Sequence, residues 1–177
     1  DIELMATKGV NVSLNPASNM KLASGFAPVQ AMIDAGVHCS IGTDGMASNN
    51  THNILQSAYL LACAQKGNAL DPAIITPKEI LRMLTVNGAR SQRRHDCGVL
   101  AQGKRADLVV MDIDTPWMQP VHTMAENLIY SAQGSDVVLT MVDGTILYEN
   151  SEYPTIDIEK EIAETCAARE RILSEMA

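Results

Sequence analysis

The sequence predicts an α/β protein with parallel strands, followed by a small β module. Helix and strand patterns alternate through residues 1–67, which is typical of a parallel α/β sheet or barrel. After Arg94 the pattern changes to short apolar runs separated by glycines, which favours a second, β-rich region.

Two strands are predicted in the first region, at residues 10–14, where polar and apolar residues alternate, and at residues 37–43. Helices are predicted over residues 1–8, over residues 28–35 and after Thr51. The sequence Thr76-Pro77-Lys78-Glu79 is a capping box that begins another helix. Residues 15–25 are predicted to be a loop, because Asn15-Pro16 interrupts the pattern.

The second region is predicted to contain a buried strand at 108–111 and a hairpin. In the hairpin, Asp143-Gly144 joins strands at 137–142 and 145–148 through a two-residue turn. Residues 156–176 have the spacing of an amphipathic helix, with apolar residues near one face.

Charge and composition exclude several classes of partner. The chain has 13 basic and 21 acidic residues, a formal net charge of −8, so neither nucleic acid nor an anionic membrane is an expected partner. No apolar run approaches the roughly 20 residues of a membrane helix. Four scattered cysteines without a CxxC pair predict buried thiols in a reducing, cytoplasmic environment.

The first residues suggest a longer polypeptide. The chain starts at Asp1 without an initiator Met, and its first apolar residues already have helical spacing. We therefore expect it to be a piece of a larger protein.

The strongest candidate for chemistry is Asp44, in the stretch IGTDGMASNN. It follows a predicted strand, and the carboxyl ends of parallel strands are where such folds place reactive groups. There Asp44 can ligate a divalent metal and transfer a proton. The dipeptide Asp-Gly by itself favours a plain turn, as predicted for Asp143-Gly144. The residues alone leave both interpretations open.

Other polar residues lie near the ends of the same two strands. Asn15, Ser18 and Asn19 follow the first strand, where they can bind a substrate or satisfy loop backbone groups. His52, after the second strand, either faces the same pocket as Asp44 or is solvated on a helix. The histidines have no HxH or HxxxH spacing, so the sequence does not assemble a complete metal site.

Four motifs occur in a specific order. They are NPASNMKLASGFAPVQAMIDAGVHCSIGTDGMASNN, TPKEILRMLTVNGAR, GVLAQGKRADLVVMDID and VVLTMVDGTILYENSEY. Together they resemble the carboxyl-terminal half of the metal-dependent amidohydrolase superfamily, closest to the 5-methylthioadenosine/S-adenosylhomocysteine deaminase and chlorohydrolase group. The resemblance covers nearly the whole chain, from Gly9 to about Tyr153.

The resemblance implies a (β/α)₈ barrel beside a β-sandwich built from both chain ends. Residues 1–96 would be the carboxyl-terminal part of the barrel, with its seventh and eighth strands. Residues 97–153 would be a portion of the sandwich, and residues 154–177 a terminal amphipathic helix. Exposed strand edges and apolar faces of such a part predict that it either self-associates or departs in structure from the family, and a homo-oligomer is expected.

The resemblance also implies a function and assigns roles. Asp44 would be a metal ligand and the proton-transferring catalytic residue. Zinc is the expected metal of the full-length protein and iron the alternative, with no metal bound by this part alone. The residues that would support or line the substrate pocket are Ser18, Asn19, Ser48, Asn49 and His52.

The expected reaction is hydrolytic deamination of an adenine-type nucleoside by metal-activated water. Such an enzyme is a hydrolase of carbon–nitrogen bonds other than peptide bonds, and this part alone is expected to be inactive. A guanine deaminase or chlorohydrolase type of heterocycle hydrolase is the alternative. The hypothesis from another class of function is a non-catalytic module.

Overall fold

The computed structural model describes residues 1–176 and contains two separate sheets, one parallel and one antiparallel. In chain order the first region contains α1 (Ile2–Thr7), β1 (Asn11–Leu14), α2 (Pro16–Lys21), α3 (Val29–Asp34), β2 (His38–Ile41), α4 (Met46–Asn49), α5 (Ile54–Ala69), α6 (Pro77–Leu84) and α7 (Val86–Ser91). The second contains β3 (Leu108–Met111), α8 (Met124–Tyr130), β4 (Val137–Val142), β5 (Thr145–Glu149) and α9 (Ile158–Met176). Ala177, included in the predicted terminal segment, lies outside the described residues.

The two strands of the first region are parallel, as predicted. Asn11 lies opposite His38, and Leu14 lies opposite Ile41. A parallel pair needs a crossover connection, which α2 and α3 provide. Both strands therefore end at the same edge of the sheet, which brings the two loops that follow them together.

The core lies between this strand pair and the helices that cover it. Leu14 and Ile41 contribute from the strands, and Ala58 of α5 and Ile80 of α6 are completely buried. Burial of these apolar side chains is the main force that holds the strands against α5 and α6. The strand edge that carries the polar loops is thus supported from one side by a packed core.

Residues 16–21 form α2, where a loop was predicted, so that prediction is wrong for this segment. Asn15 is the residue before the helix, and Pro16 occupies its first turn. Proline suits that position because its fixed φ is helical and the missing N–H has no helical partner there. The pair Asn15-Pro16 marks the start of a helix here and places Ser18 on a rigid element.

The predicted hairpin is confirmed, since β4 and β5 are antiparallel and Val142 lies opposite Thr145. Asp143 and Gly144 both have positive φ, as the tight hairpin turn requires. Asp143 also forms an ion pair with Arg105 at 2.8 Å and donates its backbone N–H to Asp107 Oδ1 at 2.8 Å. Arg94 donates to the other oxygen of Asp107 at 3.1 Å. The prediction that Asp143 only turns the hairpin is therefore wrong, because it also joins an ionic network.

The cysteines differ from one another in exposure. Cys39 of β2 is buried, Cys97 is intermediate, and Cys63 and Cys166 are exposed, all four being free thiols. Buried thiols were predicted throughout, which is right for Cys39 and wrong for the two exposed residues. None of the helices within residues 1–176 is long and apolar enough to cross a membrane.

Candidate active-site edge of the parallel sheet

The candidate site lies at the carboxyl edge of the β1–β2 pair. Asn15 directly follows β1 and leads into α2, and Gly42 and Thr43 connect β2 to Asp44. Asp44 is followed by α4, so the carboxylate sits in a short connection between a strand and a helix. This is the position at which parallel α/β folds carry reactive side chains.

The carboxylate of Asp44 is held by a hydrogen bond at each oxygen. Ser18 Oγ donates to Oδ2 at 2.7 Å, and the backbone N–H of Gly45 donates to Oδ1 at 2.8 Å. Ser18 is only 3% exposed, whereas Asp44 itself is exposed. Because a carboxylate has about four acceptor positions, each oxygen can still bind a further partner from the open side.

These bonds favour the ionised form of Asp44. The Ser18 hydroxyl is the largest cause that lowers the pKa of Asp44 below its ordinary value, followed by the Gly45 N–H and the Ser48 hydroxyl. The directed hydrogen bond of Ser48 goes to the carbonyl of Gly45, at 3.0 Å. Asp44 is therefore an anion at neutral pH, as a metal ligand or a proton acceptor must be.

The segment from Asp44 to Asn50, here called the Asp44 loop, begins and ends in an unusual backbone conformation. Asp44 has φ of 61° and Asn50 has φ of 69°. Aspartate and asparagine are the residues other than glycine that tolerate this left-handed region best. The identity of both terminal residues is thus explained in part by the backbone of the loop.

Helix α2 contacts both ends of the Asp44 loop. In addition to the Ser18 bond, Lys21 Nζ donates to the carbonyl oxygen of Ala47 at 3.1 Å and to Oδ1 of Asn50. Ser18 and Lys21 are three positions apart, so a helix presents them on one face. The Lys21 contacts could not be predicted from the sequence, since they join residues far apart in the chain.

The structure places Ser48 and Asn49 inside the Asp44 loop. Ser48 bonds the Gly45 carbonyl, and Asn49 Nδ2 donates to the carbonyl oxygen of Thr43 at 2.7 Å. Both side chains therefore bond the backbone that carries Asp44. Their predicted place at the rim of a substrate pocket stays a prediction.

The other two predicted pocket residues, Asn19 and His52, each line a different cavity. Asn19 lines a small cavity with Phe26 of the following loop and Leu61 of α5. His52 is exposed and lines an apolar groove of about 530 Å³ with Leu84 and other residues of the two regions. Hydrogen bonds thus connect Ser18 to Asp44, and Ser48 and Asn49 to the backbone on either side of it. The predicted place of Asn19 and His52 at the substrate pocket stays a prediction.

A divalent metal fits Asp44 as one ligand among several. Within residues 1–176 no cluster of three or more His, Cys, Asp or Glu side chains can hold an ion. Zinc sites usually have three or four protein ligands, and a carboxylate oxygen is an accepted donor. The exposed, anionic Asp44 meets the requirement for one of them, and a set of three or four such ligands is not complete within the described residues.

Residues 1–147 match the family described as Amidohydrolase family. The chain belongs to this family. A 5'-deoxyadenosine deaminase of Methanosarcina mazei is 41% identical over 98% of the chain. A 5-methylthioadenosine/S-adenosylhomocysteine deaminase of Dictyoglomus thermophilum is 42% identical over 90% of it. The chain spans only about two fifths of these relatives, 40% and 38% of their lengths.

Solved amidohydrolase structures resemble this one over nearly the whole chain. An adenosine deaminase of Xanthomonas campestris with bound zinc matches 98% of the chain with a TM-score of 0.94 and 36% identity. An atrazine chlorohydrolase of Arthrobacter aurescens in complex with zinc matches 94% with a TM-score of 0.86 and 32% identity. The chain covers 40% and 37% of those two proteins.

Proposed function

We propose that this chain is the carboxyl-terminal part of a metal-dependent hydrolase that deaminates an adenine-type nucleoside. The observation that carries the proposal is the Asp44 carboxylate, which is hydrogen-bonded at both oxygens and still exposed at the strand edge. The deaminases at 41–42% identity support the reaction class.

Asp44 has two roles in this proposal. When bound, a divalent ion, zinc before iron, supplies the positive charge that makes a water molecule acidic enough to be a nucleophile near pH 7. Asp44 contributes one lone pair as a ligand. A carboxylate oxygen of Asp44 also accepts the proton of the attacking water and passes it to the departing amino group, which leaves as ammonia.

The lowered pKa of Asp44 suits its role as a metal ligand and affects its role in proton transfer. Because the Ser18 and Gly45 bonds stabilise the anion, Asp44 stays ionised and available as an acceptor throughout the neutral range. A carboxyl group with a low pKa also releases an accepted proton readily.

The substrate class and the assembly also belong to the proposal. A thionucleoside such as 5-methylthioadenosine is the first candidate, and S-adenosylhomocysteine and 5'-deoxyadenosine belong to the same class. A heterocycle hydrolase of guanine deaminase or chlorohydrolase type is the second candidate, favoured by the similarity to the atrazine chlorohydrolase. We also propose a homo-oligomer in the cytoplasm, in keeping with the sequence-based expectation.

Within the full-length protein, we propose that β1 and β2 are the last two strands of an eight-stranded barrel. The antiparallel sheet of β3, β4 and β5 would be part of a β-sandwich. The proposed boundaries are residues 1–96, 97–153 and 154–177. The parallel register of β1 and β2 and the antiparallel order β3-β4-β5 support this division.

The test uses the full-length protein that carries this chain, with Asp44→Asn as the variant. Asparagine tolerates the positive φ and keeps the size of the side chain, so the change removes the charge with little strain. Loss of a group in proton transfer is expected to lower kcat for ammonia release about 10²- to 10⁴-fold. Asp143→Asn, in the other Asp-Gly pair, is the control, with kcat close to that of the unchanged protein.

The outcomes separate the candidates. Ammonia release from adenine nucleosides that depends on Asp44 supports the first. Release of chloride from a chlorotriazine, or of ammonia from guanine alone, contradicts the first candidate and supports the second, the heterocycle hydrolase. Full activity in Asp44→Asn contradicts both, and absence of turnover from any of these compounds favours a non-catalytic module.

A further inference from the structure

We infer that α2 is a clamp that positions the Asp44 loop, with Ser18 holding the carboxylate and Lys21 holding the far end of the loop. Ser18 is then a positioning residue that acts through Asp44, and not the substrate-binding residue predicted from the sequence. The consequence for catalysis rests on the proposed function, whereas the clamp itself rests on the geometry alone.

The first step concerns the hydroxyl of Ser18. A serine hydroxyl has one proton to donate, and here it goes to Asp44 Oδ2 at 2.7 Å. The side chain is buried on α2, with 3% of the residue exposed. Ser18 therefore cannot donate to a substrate while it holds Asp44, and its burial gives a substrate little access to it.

The second step concerns Lys21, one turn further along α2. Its ammonium group donates to the Ala47 carbonyl and to the side chain of Asn50, the residue that ends α4 in the left-handed region. The contacts of α2 thus fall on Ala47 inside the Asp44 loop and on its first and last residues, Asp44 and Asn50. Those two residues have positive φ, a conformation that persists only where surrounding contacts support it.

The third step is the rigidity of the clamp. Pro16 in the first turn of α2 is buried, and α2 packs against α5, whose Ala58 and Leu61 lie in the core. A side chain carried by a packed helix is held more accurately than one on a free loop. The carboxylate of an exposed residue is thereby fixed by a buried partner.

The first experiment measures the loop directly. Hydrogen exchange of the amides of residues 45–50 is compared in the unchanged full-length protein, in Ser18→Ala and in Lys21→Met. Loss of one bond to a charged group is expected to speed exchange of these amides about 10-fold. Ser40→Ala is the control for Ser18, because Ser40 is also buried, at 4%, and bonds the Val12 carbonyl.

Lys78→Met is the control for Lys21, since Lys78 is an exposed lysine on α6. Both controls should leave the exchange of residues 45–50 unchanged. Equal exchange in the Ser18 and Lys21 variants and in the unchanged protein would overturn the clamp.

The second experiment asks what Ser18 does for the reaction. A residue that orients a metal ligand typically affects metal affinity or activity about 10- to 100-fold when removed. We expect Ser18→Ala to lower zinc affinity, measured by chelator competition, by such a factor, with KM changed less than about twofold. Ser18→Thr, which keeps the hydroxyl, should recover most of the affinity. A raised KM with unchanged zinc affinity would show that Ser18 binds substrate and would refute the positioning role.

Further comparisons distinguish failure of the clamp from failure of the proposed function. If Ser18→Ala does not fold, Lys21→Met carries the test, because Lys21 makes its contacts at the surface. If Asp44→Asn retains full activity, the proposed function fails, and the exchange rates still decide whether the clamp exists. If Asp44→Asn is inactive and Ser18→Ala matches the unchanged protein in exchange, zinc affinity and kcat, the clamp alone fails.

Discussion

Gly42 lies against the side chain of Asn15 at the edge of the parallel strand pair, and the space between them has no room for a further side-chain carbon. A Cβ atom on residue 42 would lie 2.5 Å from Asn15 Oδ1 and 2.8 Å from Ser13 Oγ. The backbone cannot retreat freely, because the N–H of Gly42 donates to the carbonyl of Leu14 at 2.9 Å. Space therefore favours glycine here, although its φ is not positive, because any other residue would force the side chains of Asn15 and Ser13 to move.

Gly42→Ala should therefore destabilise the protein. The new methyl group must displace Asn15 or Ser13, and overpacking of this kind costs about 1–3 kcal/mol. The measurement is the free energy of unfolding in urea. Gly67→Ala is the control, because Gly67 lies within α5 with nothing within 4 Å of the added Cβ. It should raise stability by about 0.5–1 kcal/mol, and equal effects of the two changes would contradict the steric argument.

Asp107 should be the residue whose loss most weakens the ionic network of the β module. It accepts from Arg94 and from the backbone of Asp143, and its side chain is 22% exposed. Asp107→Asn is expected to lower the free energy of unfolding by about 1–3 kcal/mol, since charged hydrogen bonds are lost. Glu164→Gln, in an exposed pair with Lys160, should cost at most about 0.5 kcal/mol. A smaller loss at Asp107 than at Glu164 would be evidence against the network.

The hydrogen bonds of Asp44 should make stability depend on pH in the acid range. Ser18 above all, and then Gly45, lower the folded-state pKa of Asp44, so the stabilisation is complete above the unfolded pKa of about 4. It is lost as pH falls through the lower pKa of the folded state. The difference in unfolding free energy between the unchanged protein and Asp44→Asn should shrink below about pH 4. A difference that is constant across this range would contradict the assignment.

The thiols should differ in reactivity as they differ in exposure. Cys39 is 1% exposed and its burial raises the pKa of the thiol, which lowers the fraction of reactive thiolate. Cys63 and Cys166 are exposed and should react with iodoacetamide in the folded protein. Peptide mass spectrometry with and without urea measures the labelling. Native-state labelling of Cys39 at the rate of Cys63 would show that β2 is not buried as described.

The sequence was sufficient for the features that depend on local pattern. Strands β1 and β2, the capping box at Thr76 and the Asp143-Gly144 hairpin all follow from spacing and turn chemistry within a few residues. Helix α2 was missed because Asn15-Pro16 was interpreted as a break. Proline is favoured in the first turn of a helix, so the same dipeptide also indicates a helix start, and a signal for α2 was present.

The contacts of the site could not be predicted from the sequence, for a different reason. Ser18 and Asp44 were both named as candidates, yet nothing in the sequence shows that one donates to the other. That bond depends on the register of β1 against β2 and on the face that α2 turns toward the loop. Lys21 and the partner role of Asp143 were missed for the same reason, since each contact joins residues separated by dozens of positions.

The bond between Ser18 and Asp44 spans 26 positions of the chain, and this has a consequence for the order of folding events. A contact of that length forms only after its loop has closed, so it cannot appear in a locally folded intermediate. Orientation of the carboxylate should therefore not precede the pairing of β1 with β2. A chain that has collapsed without that pairing would contain the same residues and no oriented carboxylate.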